Sequence, residues 1–262
     1  MNILVYQMDV IPGDPQANRE KVGKWLEEQE LHDVDLIMLP EMWTTAYTLP
    51  ELDDIAEDPA DSETVRFLKE SAERYHVHIM GGSIAVKRDG KVFNRALVIN
   101  NAGELVYHYD KMHLVPMLNE PAYLSGGEES VRVFELDGVK MGVVICYDLR
   151  FPEIIRSLAL QGCKLLFIPA EWPDSRRAHW DVLSAARAVE NQMYVVTCNR
   201  PGEYDGITFA GSSAFIDPWG NVLQKGSVEH EETLRQELEL SNVAEVRENV
   251  PVFDSRVPSL YD

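Results

Sequence analysis

The sequence predicts an α/β protein in which two β-sheets pack together and helices cover their outer faces. Short apolar runs rich in β-branched residues, typical of buried strands, alternate with segments of helical periodicity both early and late in the chain. Two pairs of such runs surround the Asp89-Gly90 and Asp137-Gly138 turns, as hairpins do. No repeat, low-complexity tract or linker divides the 262 residues, so we expect a single domain over residues 1–262.

The strands are predicted wherever apolar residues alternate or run continuously between turn-forming residues. In chain order they are residues 2–10, 35–40, 77–86, 92–100, 104–110, 131–135, 139–145, 164–169, 193–198, 209–217, 222–224 and 229–240.

Helices are predicted where apolar residues recur at helical spacing after a capping or proline signal. They follow the turn at 12–15, begin at Ser62, follow Pro152, cover 178–191 and follow Ser241. Residues 49–61 and 115–129 and the tail 251–262 lack periodicity and are predicted to have no regular element.

Composition excludes several classes of function. The formal net charge of -20 argues against a nucleic-acid or anionic-membrane partner, since both require a basic surface. No window approaches the roughly 20 apolar residues of a membrane span, and no basic region precedes the first apolar run, so a cytoplasmic protein is expected. Cys146, Cys163 and Cys198 form no close pair, which favours a reducing compartment and indicates neither a disulfide framework nor a metal cluster.

Three residues with different chemistry each follow a predicted strand. Glu41 comes directly after the strand at 35–40, Lys111 follows the strand at 104–110, and Cys146 lies at a strand-to-helix corner. Ligand sites of α/β folds gather at the carboxyl ends of strands. A cysteine nucleophile, a carboxylate base and an ammonium group that stabilises an oxyanion would together perform acyl transfer.

These segments resemble the nitrilase superfamily of carbon-nitrogen hydrolases. The resemblance is carried by Leu-Pro-Glu41-Met, Tyr-Asp-Lys111-Met-His-Leu and Cys146-Tyr-Asp-Leu-Arg-Phe-Pro-Glu, in the family's order. It implies an α-β-β-α sandwich that dimerises through its helices, with Glu41, Lys111 and Cys146 as the catalytic triad. It also implies that Glu120, in the loop after the lysine, supports the site, and that the Tyr147 N–H joins Lys111 in the oxyanion hole.

A second block, from Trp172-Pro173 through Arg187 to Asn199-Arg200, resembles the omega-amidase branch of the superfamily. That branch hydrolyses the side-chain amide of 2-oxoglutaramate, so the resemblance implies a small-molecule amide substrate and no metal or cofactor. The planar guanidinium of Arg150 is a candidate group for binding the substrate carboxylate. The alternative is that Arg150 forms an ion pair with a buried acid. Trp172 is a candidate residue for the wall of the substrate pocket. The alternative is that its side chain packs in the hydrophobic core.

Other functions stay open at this point. A nitrilase or an N-carbamoyl amino acid hydrolase would use the same triad, and a catalytically silent binding protein could keep the fold. A papain-type cysteine-histidine pair is possible because such partners are distant in sequence. The amidase is favoured because Glu41, Lys111 and Cys146 are all present.

Overall fold

Two six-stranded sheets form the centre of the computed structural model, which describes residues 1–261. Within that range the strands, in chain order, are β1 (Asn2–Gln7), β2 (Leu36–Met38), β3 (His78–Arg88), β4 (Lys91–Ile99), β5 (Leu105–Asp110), β6 (Phe134–Leu136), β7 (Val139–Val143), β8 (Leu165–Ala170), β9 (Tyr194–Asn199), β10 (Glu203–Tyr204), β11 (Ile207–Thr208), β12 (Ala214–Ile216), β13 (Val222–Lys225) and β14 (Glu232–Glu237). The α-helices are α1 (Pro15–Glu28), α2 (Leu52–Ile55), α3 (Glu63–Tyr75), α4 (Pro152–Leu160), α5 (Arg177–Asn191) and α6 (Asn242–Asn249).

The two large sheets have the same arrangement of parallel and antiparallel strands. The first has the order β14-β1-β2-β3-β4-β5 and the second β13-β12-β9-β8-β7-β6. In each sheet the three central strands are parallel, β1-β2-β3 in the first and β7-β8-β9 in the second, and antiparallel strands extend both edges. The parallel centre places several carboxyl-terminal strand ends at one edge of each sheet, where ligand sites form.

Side-chain alternation along β1 shows how the layers are built. Ile3 and Val5 pack into the cluster between the sheets, whereas Leu4 and Tyr6 pack under the helices α1 and α3. Because successive side chains of a strand point to opposite faces, a strand covered on both faces is apolar throughout. Helices α4 and α5 cover the second sheet in the same way. This α-β-β-α arrangement confirms the predicted fold class.

Four expectations about local structure need correction. Residues 49–61 contain a 3-10 turn and α2, because Leu52 is fully buried and anchors them. The predicted strand at 209–217 is reduced to β12, while the β10-β11 hairpin before it was not predicted. Short 3-10 turns also occur in the loop at 115–129 and in the tail, at Pro116–Leu118, Glu120–Ala122 and Pro258–Leu260.

Within residues 1–261, the helices are all too short or too polar to cross a bilayer.

Candidate active site

Glu41 is positioned by a bulge in the neighbouring strand β3. The register of β3 shifts between Met80 and Ser83, and Gly82 there has φ +56°. A Cβ atom on Gly82 would lie 1.9 Å from the Pro40 carbonyl oxygen, so only glycine fits. The Ser83 N–H donates to that carbonyl at 3.1 Å, which fixes the backbone one residue before Glu41.

Lys111 lies directly after β5 with its side chain fully buried. Its Nζ donates to Glu41 Oε1 at 2.9 Å and to Glu120 Oε1 at 2.7 Å, and it lies 3.3 Å from the Tyr47 hydroxyl oxygen. The Tyr47 hydroxyl is also 2.6 Å from Glu120 Oε1 and 3.0 Å from Glu41 Oε1. The ammonium is therefore held between two carboxylates away from water, a geometry that its long flexible stem alone would not maintain.

Glu41 also accepts two hydrogen bonds from outside this cluster. Asn94 Nδ2 donates to Oε1 at 2.7 Å, and the backbone N–H of Glu171 donates to Oε2 at 2.7 Å. Glu120 is anchored by the Val115 N–H, which donates to its Oε2 at 2.7 Å. Both carboxylates are thus aimed by fixed donors.

Cys146 begins a 3-10 turn three residues after β7 and has φ +45°, a left-handed conformation that costs energy for any residue with a Cβ. Asp148 compensates by fixing the turn: its Oδ2 accepts from the Ile145 N–H at 3.0 Å and from the Tyr109 hydroxyl at 2.8 Å. Its Oδ1 accepts from the His113 N–H at 3.0 Å. Since Tyr109 and His113 flank Lys111, one carboxylate ties the cysteine turn to the lysine segment.

The buried charges set the protonation states of the site. Burial, reinforced by the neighbouring Glu41 carboxylate, raises the pKa of the Cys146 thiol well above its usual range. Burial by itself would lower the pKa of Lys111, but Glu120 and Glu41 outweigh it and raise that pKa. At neutral pH the resting site therefore contains a neutral thiol beside a charged ammonium. A neutral thiol needs a base to accept its proton when it attacks.

A narrow apolar pocket opens onto Cys146. It has a volume of about 20 Å³ and is lined by Cys146, Tyr147, Arg150, Trp172 and other residues, namely Val115, Met117, Leu118, Pro173 and Arg176. The Arg150 guanidinium lies 4.6 Å from the Trp172 ring centroid. Such a space admits little more than a water molecule, so a substrate must displace wall residues, of which Met117 is half exposed.

The structure brings all of the sequence-predicted site residues to this one place, and it adds others that sequence reasoning missed. The additions are Tyr47, Asn94, Asp148, Glu171 and Arg176. Glu171 could have been recognised from the sequence, because it directly follows the buried strand β8 just as Lys111 follows β5. Its side chain is fully buried, and burial raises its pKa to about 8.

Comparison with known proteins identifies the family. The family model described as carbon-nitrogen hydrolase matches residues 3–248. The chain belongs to the carbon-nitrogen hydrolase family. It is accordingly an enzyme that acts on carbon-nitrogen bonds.

Curated relatives refine this placement. A 2-oxoglutaramate amidase of Bacillus subtilis (strain 168) is 44% identical over 255 residues, with 97% of each chain covered. The mouse omega-amidase NIT2 is 32% identical over 254 residues, which cover 93% of this carbon-nitrogen hydrolase and 91% of the mouse protein. A crystal structure of a CN-hydrolase superfamily protein from Xanthomonas campestris, with an arsenic adduct in its active site, is 32% identical with a TM-score of 0.90. The match covers 98% of this chain and 97% of that one.

Proposed function

We propose that this carbon-nitrogen hydrolase is an amidase that hydrolyses the ω-amide of a small carboxylate-bearing substrate such as 2-oxoglutaramate. Cys146 is the nucleophile, Glu41 the general base and acid, and Lys111 the electrostatic stabiliser. The observation that carries the proposal is the fully buried Lys111 ammonium hydrogen-bonded to Glu41 and Glu120 beside the cysteine turn. The names of the relatives support the substrate class.

In the first half-reaction Cys146 Sγ attacks the amide carbon, and Glu41 accepts the thiol proton. The carbonyl oxygen becomes an oxyanion, which Lys111 Nζ and the Tyr147 N–H stabilise. Tyr147 is the second residue of the 3-10 turn, whose first backbone bond runs from the Asp148 N–H to the Ile145 carbonyl, so its own N–H is one of the free donors expected at a helix start. Glu41 then gives its proton to the leaving nitrogen. The carbon-nitrogen bond breaks, ammonia leaves, and the acyl group remains as a thioester.

In the second half-reaction a water molecule attacks the thioester carbon. Glu41 accepts a proton from that water and returns it to the Cys146 sulfur as the carbon-sulfur bond breaks. The products are a carboxylic acid and the free thiol. Glu120 stays bound to Lys111 throughout, so the ammonium keeps a counter-charge while Glu41 cycles between protonation states.

Arg150 and Trp172 are proposed to hold the far end of the substrate. The guanidinium is stacked on the indole, which leaves its N–H edge available to a carboxylate.

A substrate panel scored for released ammonia tests the function. The panel contains 2-oxoglutaramate, 2-oxosuccinamate, aliphatic nitriles and N-carbamoyl amino acids, and the Cys146→Ala variant is the control. We expect fastest release from the 2-oxo acid amides and none from the variant. Preference for nitriles or carbamoyl compounds would reassign the substrate class, and undiminished release by Cys146→Ala would remove the nucleophile from the scheme.

We further propose that the whole of 1–262 acts as one hydrolase domain and assembles as a homodimer through α5. Val182 and Val189 lie on one face of α5 and are 67% and 49% exposed. Trp219 is 53% exposed, and the residue after it, Gly220, lies against Val189. Exposed apolar clusters of this kind commonly mark interfaces. Sedimentation of wild type and Val182→Glu tests this, since the variant should be a monomer.

Three free thiols support a cytoplasmic location.

A further inference from the structure

Two guanidinium groups flank the pocket at Cys146. Arg150 lies at the end of the 3-10 turn that begins with the cysteine, and Arg176 ends the 3-10 turn Asp174–Arg176 just before α5. Both line the same pocket as Cys146. Both are half-buried, so each is partly shielded from solvent.

Neither guanidinium has a carboxylate partner within residues 1–261. Arg150 Nη1 lies 3.3 Å from His179 Nδ1, and its buried Nε has no hydrogen-bond partner. Asp174, two residues before Arg176, pairs instead with Arg177 at 3.3 Å, and Asp148, two residues before Arg150, accepts hydrogen bonds within the cysteine turn and from the lysine segment. The chain has 44 acidic and 24 basic residues. Two adjacent unpaired arginines are therefore unexpected unless an anionic ligand completes them.

Trp172 contacts the backbone of Arg176 and the side chain of Arg150. The Trp172 indole Nε1 donates to the Arg176 carbonyl oxygen at 2.9 Å, and the Arg176 N–H donates to the Pro173 carbonyl at 3.0 Å. The face of the same indole carries the Arg150 guanidinium. The indole limits the side-chain freedom that Arg150 can lose on binding a ligand, and the Arg176 backbone is fixed beside it.

The two positive charges act on each other. Burial, followed by the positive charge of Arg176, lowers the pKa of Arg150. Arg150 remains protonated at neutral pH because the pKa of a guanidinium begins far above it. An anion between them would relieve this repulsion, whereas a second cation would add to it.

We propose that Arg176 is a specificity-determining residue that, together with Arg150, binds the carboxylate and 2-oxo oxygens of the substrate and rejects the α-ammonium group of an amino acid. The inference rests on the proposed amidase function and deepens it by assigning the residues that recognise the carboxylate and 2-oxo oxygens of the substrate. Glutamine has the same chain length and terminal amide as 2-oxoglutaramate, but its ammonium group would face two guanidiniums.

A second cavity near the site has the wrong chemistry for this end of the substrate. It has a volume of about 340 Å³ and shares Met117 and Leu118 with the first pocket. Its polar lining consists of tyrosines, Asn119 and Asp205, with no cation among the lining residues. An anionic group is therefore favoured on the arginine side.

The kinetic test compares Arg176→Met with Arg177→Met. The second variant removes the same charge one residue away, where the guanidinium already has Asp174 as a partner. For 2-oxoglutaramate we expect KM to rise about 10- to 100-fold in Arg176→Met, the usual effect of losing one charge-assisted hydrogen bond. For the neutral butyramide, kcat/KM should not change, and Arg177→Met should behave as wild type with both substrates. The preference for 2-oxoglutaramate over glutamine should fall in Arg176→Met alone.

A binding measurement separates this inference from the proposed function. The rate at which iodoacetamide alkylates Cys146 is measured by peptide mass mapping, with and without 2-oxoglutarate. We expect protection in wild type and Arg177→Met and its loss in Arg176→Met. Protection without any amide hydrolysis would contradict the proposed function but leave the role of Arg176 intact. Equal protection of Arg176→Met and wild type, or no protection of wild type, would overturn the role of Arg176 even if ammonia is released.

Discussion

Replacing Lys111 with methionine tests both the charge balance and the chemistry of the site. Methionine keeps most of the side-chain volume but removes the ammonium that lies 2.9 Å from Glu41 and 2.7 Å from Glu120. All three side chains have no exposed surface, so water cannot replace the lost charge. Two carboxylates would then remain buried side by side.

The expected loss of stability follows from that geometry. Removing one partner of a buried ion pair typically destabilises a protein by about 3–5 kcal/mol. Burial already raises the pKa of Glu120, with Lys111 opposing the rise, so loss of the lysine raises it further. A carboxyl whose folded pKa is raised contributes stability at low pH that is lost as the pH rises. The destabilisation of Lys111→Met should therefore grow from pH 5 to pH 8.

The assay is urea unfolding at pH 5 and pH 8, together with turnover of 2-oxoglutaramate. Adding Glu120→Gln to Lys111→Met removes one uncompensated charge, so the double variant should recover about 2 kcal/mol at pH 8. Turnover should stay at least about 100-fold below wild type in both variants because the oxyanion still lacks its cation.

Two results would refute this reasoning. A Lys111→Met protein as stable as wild type at pH 8 would show that the two carboxylates do not depend on the ammonium. Near-normal turnover in either variant would remove Lys111 from the chemistry.

Three further predictions concern the general base, the bulge in β3 and the buried Glu171. Glu41→Gln should lower turnover by about 1,000-fold or more because the amide cannot accept the thiol proton; turnover within tenfold of wild type would exclude Glu41 as the base. Gly82→Ala should cost about 3 kcal/mol and lower turnover, since its Cβ would meet the Pro40 carbonyl at 1.9 Å. Gly90→Ala, with a similar φ of +72° but nothing within 4 Å, should cost about 1 kcal/mol and leave turnover intact; equal effects would contradict the role of the bulge. Glu171, whose pKa is about 8, should make wild type lose about 3 kcal/mol relative to Glu171→Gln between pH 5 and pH 8, and parallel stability curves would show that its pKa is ordinary.

The layers of the fold were predictable because burial on both faces leaves a clear signal in sequence. The interior of β1 and the whole of β8 are buried and largely apolar. Helix α3 begins at Glu63, directly after Ser62, whose side chain accepts from the Val65 N–H as a helix cap should. The β10-β11 hairpin was missed because two-residue strands are too short to show periodicity.

The site was predictable only where a residue follows a strand. Lys111, and less directly Glu41 and Cys146, fit the rule that ligands bind at the carboxyl ends of strands. Asn94 lies inside β4, and only the register of the sheet aims it at Glu41. Tyr47 belongs to an irregular turn whose path depends on the bulge in β3, which is a tertiary feature that local sequence does not encode.

The covalent intermediate offers the most direct test of the proposed chemistry. The protein is mixed with 2-oxoglutaramate, quenched with acid during turnover and digested for mass spectrometry of the peptide that contains Cys146. We predict an adduct with the mass of the substrate less ammonia on Cys146, absent from Cys146→Ala. Ammonia release with no such adduct at any quench time, or an adduct on a different residue, would contradict thioester catalysis at this site.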